Sequence, residues 1–127
     1  MLILDTSVWI EYFRQNEIIS PVVKNLLEQA KILALECVFG ELLQGARDQR
    51  ERDIICNYWI NLPHCDSRGM YIEAGQYSSE HKLVSKGIGL IDCVIILSAR
   101  AERATIWTLD KKILHHIEEK ERFHSSP

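Results

Sequence analysis

Three short apolar runs, Leu2-Ile3-Leu4, Ile32-Leu33-Ala34-Leu35 and Ala104 to Thr108, most narrow the folds open to this chain. Each is too short for a buried helix; the first is a continuous apolar run that suits a buried parallel strand, the second another short apolar one, and the third is made of β-branched and aromatic residues. The segments between them have helical spacing. Thr6 and Ser7 are candidate caps for a helix carrying Val8, Trp9, Tyr12 and Phe13 on one side. Ser20-Pro21 predicts a second helix with proline at its first position, followed by Val22, Val23, Leu26, Leu27 and Ala30. A third begins near Cys37 with Val38, Leu42 and Leu43, and a fourth carries Ile54, Ile55, Tyr58, Trp59 and Leu62 and ends before Pro63.

Ser67 is a cap for a helix from Arg68 to Lys86, with Tyr71, Ala74, Tyr77, His81 and Val84 among its inner positions, broken by Gly87 and Gly89. Residues Ile91 to Arg103 read as a buried helix, Lys111 to Lys120 as a terminal one, and Arg122 to Pro127 as a frayed tail. Strands alternating with helices predict an α/β fold with a central, mostly parallel sheet, helices on both faces and right-handed crossovers.

No Gly/Ser/Pro-rich linker interrupts the 127 residues, so the whole chain, 1–127, is expected to form one domain. No apolar run approaches the ~20 residues of a membrane span, and the start, Met-Leu-Ile-Leu-Asp, lacks the pattern of a secretion signal. A cytoplasmic protein is expected. Cys37, Cys56, Cys65 and Cys93 form no C-x-x-C pair and read as reduced, mostly buried thiols. The five histidines show no metal-binding spacing and are expected to be solvated or packed. A net charge of −3 argues against a protein that holds nucleic acid by bulk positive charge, though a local basic strip remains open.

Acidic residues at the carboxyl ends of parallel strands are more informative than others, because ligands of open α/β sheets bind there. Asp5 follows the first strand, Asp110 lies just past the last, Glu41 falls in the helix after the second, and Asp92 opens the apolar helix. Each also has an ordinary reading, as a helix cap, a turn or an exposed helix residue. Four carboxylates against an apolar core repel one another unless something positive joins them. A hard divalent cation, Mg²⁺ or Mn²⁺, fits oxygen donors of this kind. Metal-assisted hydrolysis of a phosphodiester is the chemistry that follows.

The run Leu4-Asp5-Thr6-Ser7-Val8-Trp9-Ile10, the segment Glu41-Leu42-Leu43-Gln44-Gly45, Asp92 opening its helix, and Thr108-Leu109-Asp110 together resemble the PIN-domain ribonucleases, specifically the VapC-type toxins of bacterial toxin–antitoxin pairs. The resemblance spans essentially the whole chain. It implies a PIN-like three-layer α/β/α sandwich and a metal-dependent endoribonuclease. Asp5 and Asp92 would be the nearest metal ligands, with Glu41 and Asp110 acting through water or orienting the nucleophile. Thr6 and Thr108 would support the cluster with their hydroxyls. The resemblance further implies Mg²⁺ (or Mn²⁺), RNA substrates that include transfer RNA, a small cognate antitoxin and a homodimer.

Candidate phosphate contacts are Arg47, Arg50, Arg52, Lys82, Lys86, Lys111 and Lys112, although the acids interleaved from Arg47 to Asp53 favour a salt-bridged helix surface there. Trp9, Tyr12 and Phe13 are candidates either for the core or for a surface that meets a partner helix. Two other readings of the fold are a flavodoxin-like phosphoacceptor module and a phosphatase with an aspartate nucleophile. The first wants an acidic pair after the first strand and the second an acid at position 7, where Ser7 stands. A binding module without catalysis, or a PIN ribonuclease that is not a toxin, keeps the fold and changes the role.

Overall fold

The computed structural model describes residues 1–125. Strand β1 (Leu2–Leu4) lies at the centre of a three-stranded sheet, with β2 (Ile32–Leu33) on one side and β3 (Thr105–Trp107) on the other. Both pairings are parallel, with Leu2 opposite Ile32 and Thr105, and Ile3 opposite Leu33 and Ile106. All of β1 is buried and Ile3 has no exposed surface, as expected for a strand enclosed by helices. Among the described residues seven α-helices surround the sheet: α1 (Thr6–Phe13), α2 (Ile19–Glu28), α3 (Glu36–Gln44), α4 (Gln49–Asn61), α5 (Met70–His81), α6 (Leu90–Glu102) and α7 (Lys111–His116). Helix α6 packs on β1 and β3 and is covered by α5, while α1 rests on β1 and packs against α2 and α3.

Several boundaries differ from those expected. The cap of α1 is Asp5, whose side chain accepts the Val8 N–H, so Thr6 and Ser7 lie inside the first turn. Helix α2 starts before Pro21 because the Asn16 side chain already accepts the N–H groups of Ile18 and Ile19, leaving Ser20 Oγ to donate to the Tyr12 carbonyl. Helix α5 is shorter than Arg68 to Lys86. It ends at Lys82, which takes a left-handed conformation (φ 55°), and a 3₁₀ turn over Val84–Lys86 follows. Its inner positions are Met70, Ala74 and Ser78, whereas Tyr71, His81 and Val84 are exposed. Helix α7 stops at His116, and Glu119–Glu121 form a separate 3₁₀ turn.

The tail is not frayed where it meets the sheet: the Phe123 N–H donates to the Ile106 carbonyl at 2.8 Å, and the Phe123 ring packs on Trp107. Residues 126–127 of that expected tail lie outside the described residues. All four cysteines are free, three of them buried and Cys56 half-buried. Trp9 is buried among Tyr12, Phe13, Phe39 and Tyr58, which ties α1 to α3 and α4. Tyr12 and Phe13 remain partly open and line a groove of about 540 Å³ with Pro21, Ile54 and Tyr58. Among the described residues no helix is long and apolar enough to cross a membrane.

Truncating the central strand should be costly: Ile3→Ala is expected to lower unfolding free energy in urea by about 2–5 kcal/mol. Ile72→Ala, at a position 72% exposed, should stay within about 0.5 kcal/mol of the unaltered chain.

Candidate active site

Helix α6 feeds β3, so it runs antiparallel to the sheet and brings its N-terminus to the edge where β1 and β3 end. Asp92 is therefore carried to the same edge as Asp5 and Asp110. Asp5 is 5% exposed and engaged on both oxygens. Its Oδ1 accepts from Ser7 Oγ at 2.5 Å and from the Val8 N–H at 3.2 Å, and its Oδ2 accepts from the Thr108 hydroxyl. Ser7 Oγ in turn accepts the Leu109 N–H at 3.2 Å, and Thr108 Oγ1 accepts the Asp110 N–H at 3.0 Å. One carboxylate thus ties the end of β1 to the segment that follows β3.

Asp110 caps α7 through Oδ1, which takes the Lys112 N–H at 2.8 Å, and Asp92 Oδ2 accepts the Gly89 N–H at 3.1 Å. Glu41, half-buried on α3, receives the Thr6 hydroxyl at 2.6 Å on Oε1. Three helix N-termini, those of α1, α6 and α7, therefore face this edge and favour negative charge there. Burial still pushes the Asp5 carboxyl above its ordinary pKa, against hydrogen bonds from Ser7, Thr108 and Val8. The Asp92 carboxyl is raised as well, by burial first and then by the negative charges of Asp110, Asp5 and Glu41. Asp92 thus registers all three of the other carboxylates.

None of the four has an ion-pair partner among the described residues. Their oxygens are hard donors with lone pairs left over, the chemistry that suits Mg²⁺ or Mn²⁺. Among the described residues no three acidic, imidazole or thiol groups close into a ready cage.

The basic candidates are placed less uniformly. Arg47 is exposed and pairs with Glu51, Nε to Oε1 at 2.7 Å. With Arg14 and Arg50 it borders a depression of about 620 Å³ that also reaches Glu41. Lys111 is exposed at the first position of α7, directly after Asp110. Sequence reasoning missed Ser7 as a partner of Asp5. The usable signal was a hydroxyl residue two places after an N-cap aspartate, where it folds back onto the cap.

The sequence profile of the PIN domain matches residues 2–120. The chain belongs to the PIN-domain family. It is 31% identical over 112 residues to VapC ribonuclease Mb1587 of Mycobacterium bovis, covering 84% of each chain. Ribonuclease VapC11 of Mycobacterium tuberculosis matches to the same extent. In fold this PIN domain is similar to FitAcB from Neisseria gonorrhoeae, with a TM-score of 0.61, 18% identity and 91% of each chain covered. These findings place it with the VapC-type PIN domains and agree with an α/β sandwich.

Because Asp92 is raised, its ionised form weakens the metal-free fold, and stability falls as pH rises from the ordinary carboxylate pKa of about 4 through the higher folded value. Asp92→Asn should therefore raise the melting temperature of the chelator-treated protein at pH 7. The gain should fade below about pH 4, where both forms are neutral. Thermal melts in EDTA across pH check this.

Proposed function

We propose that this PIN domain is a VapC-type toxin acting as a metal-dependent endoribonuclease. The carrying observation is Asp92, raised by burial and by the charges of Asp110, Asp5 and Glu41 at an edge where, among the described residues, none of the four carboxylates has an ion-pair partner. The VapC ribonucleases that it resembles support the reaction class. Asp5 and Asp92 would hold Mg²⁺ or Mn²⁺, while Glu41 and Asp110 would reach it through water and orient the attacking molecule. Once bound, the ion supplies a water of lowered pKa and neutralises charge that builds on the phosphate.

The hydroxyls of Thr6 and Thr108 fix two of the carboxylates by donating to Glu41 and Asp5, a supporting role in which orientation matters more than charge. Ser7 holds the other oxygen of Asp5. In this reading Arg47, which lines the same depression as Glu41, and Lys111, which directly follows Asp110, contact phosphates.

The same reading includes a small antitoxin, a homodimer and structured RNA such as transfer RNA as substrate. The groove lined by Tyr12, Phe13, Pro21, Ile54 and Tyr58 supports the antitoxin part, since an apolar helix face fits such a surface.

Purified protein incubated with total RNA should cleave it in Mg²⁺ or Mn²⁺ and stop when EDTA is added. Asp5→Asn and Asp92→Asn should each slow cleavage on the order of 10²-fold or more. Cleavage indifferent to chelation and to both substitutions would overturn the mechanism.

A further inference from the structure

Four lysines of this chain differ from most of its arginines. Arg47, Arg68, Arg100 and Arg122 each hold a carboxylate, at 2.7, 2.8, 2.9 and 3.1 Å respectively. Lys82, Lys86, Lys111 and Lys112 take part in no ion pair among the described residues, and all four are exposed. The segments that bear them, 82–89 and 111–117, contain no acidic residue, although the chain as a whole has a net charge of −3.

The two segments are in contact. Gly87, at φ 77°, lies so close under the Lys112 side chain that a Cβ there would sit 3.1 Å from Lys112 Cδ and 3.2 Å from Nζ. Burial first, and then the nearby charges of Arg100 and Lys86, hold His116 on α7 below its ordinary pKa, which places Lys86 beside that helix. At its other end the strip joins the acidic edge directly: the Lys112 N–H caps on Asp110, and two residues after Gly87 the Gly89 N–H caps on Asp92.

We propose that Lys82, Lys86, Lys111 and Lys112 form a phosphate-gripping strip that guides a single-stranded stretch of the RNA substrate along α7 and the 84–86 turn into the acidic edge. The inference rests on the ribonuclease reading, which puts one phosphodiester at Asp5 and Asp92. The flanking phosphates of that strand then continue onto the strip. Lysine suits this task, because a point charge on a flexible stem follows a backbone without demanding one geometry. Exposed Val84 and Leu109, 82% and 44% accessible, leave apolar surface beside the lysines for unstacked bases.

The test is fluorescence anisotropy with a short labelled single-stranded RNA of mixed sequence, bound in Mg²⁺ to the chain bearing Asp5→Asn so that the probe survives. Adding Lys86→Gln and Lys112→Gln should weaken binding roughly tenfold and flatten the plot of log affinity against log salt by about 1.4, at ~0.7 for each phosphate that is no longer neutralised. Lys31→Gln with Arg103→Gln, at the opposite ends of β2 and β3, should change neither quantity. Thermal melts of both pairs confirm that the fold is retained.

Unchanged affinity and slope in the first pair, an equal loss in the second, or no RNA binding at all overturns the strip. Competition by polyglutamate as effective as unlabelled RNA at equal charge overturns RNA as the occupant in favour of an acidic peptide. Cleavage of total RNA by the unaltered chain is measured alongside. If it is cleaved while the lysine variants bind normally, the strip alone fails; if it is not cleaved while they lose RNA, the catalytic reading fails and the strip stands.

Discussion

Mutual repulsion among carboxylates at one edge of a small sheet is the constraint around which the rest of the molecule is arranged. An ionised group near an apolar core is expensive, and neighbours of like sign add to the expense. The fold offsets this with partial charges. Asp5, Asp92 and Asp110 each accept a backbone N–H at a helix N-terminus, and Asp5 and Glu41 take the hydroxyls of Ser7, Thr108 and Thr6. Such contacts contribute roughly 0.3–1 kcal/mol apiece at helix ends, enough to position the groups but not to discharge them. The raised Asp5 and Asp92 carboxyls record what is left over.

This arrangement dissolves an apparent choice between a structural and a chemical role for the aspartates. Asp5 and Asp110 are helix caps in the ordinary sense. Capping through Oδ1 fixes their rotamers and leaves acceptor capacity on the second oxygen of each, so a cap is a convenient way to aim a ligand. Parallel topology supplies the coincidence. With β1 between β2 and β3, the chain leaves the sheet at one edge after every strand, and helices that enter or leave there bring their N-termini with them.

Much of this was legible in the sequence, and the portions that were not have a common cause. β1 is a continuous apolar run, fully buried, and β3 a short β-branched and aromatic one centred on buried Ile106, so both they and the acids beyond their ends could be read directly. Pairings across long separations leave none: nothing near Thr6 announces a bond to Glu41, and nothing near Phe123 announces Ile106. Helix α5 misled because Tyr71, His81 and Val84 continue a helical period that the structure does not use. Leu83 and Ile88, on the irregular turn beyond its end, fill the core instead. At α2 the proline signal was real but outweighed by the Asn16 side chain, which supplied a start two residues earlier.

The two outer strands have one more property in common. Beyond β2, Ala34 bridges to His64, and its N–H and carbonyl are taken by Pro63 and Cys65. Beyond β3, Ile106 bridges to Arg122. Each flank is thus blunted by a single crossing segment rather than continued by a strand, and strands of two and three residues offer little ladder to extend. The sheet is closed to growth in the way that a finished edge is, and neither flank offers a second chain a ladder on which to add a strand.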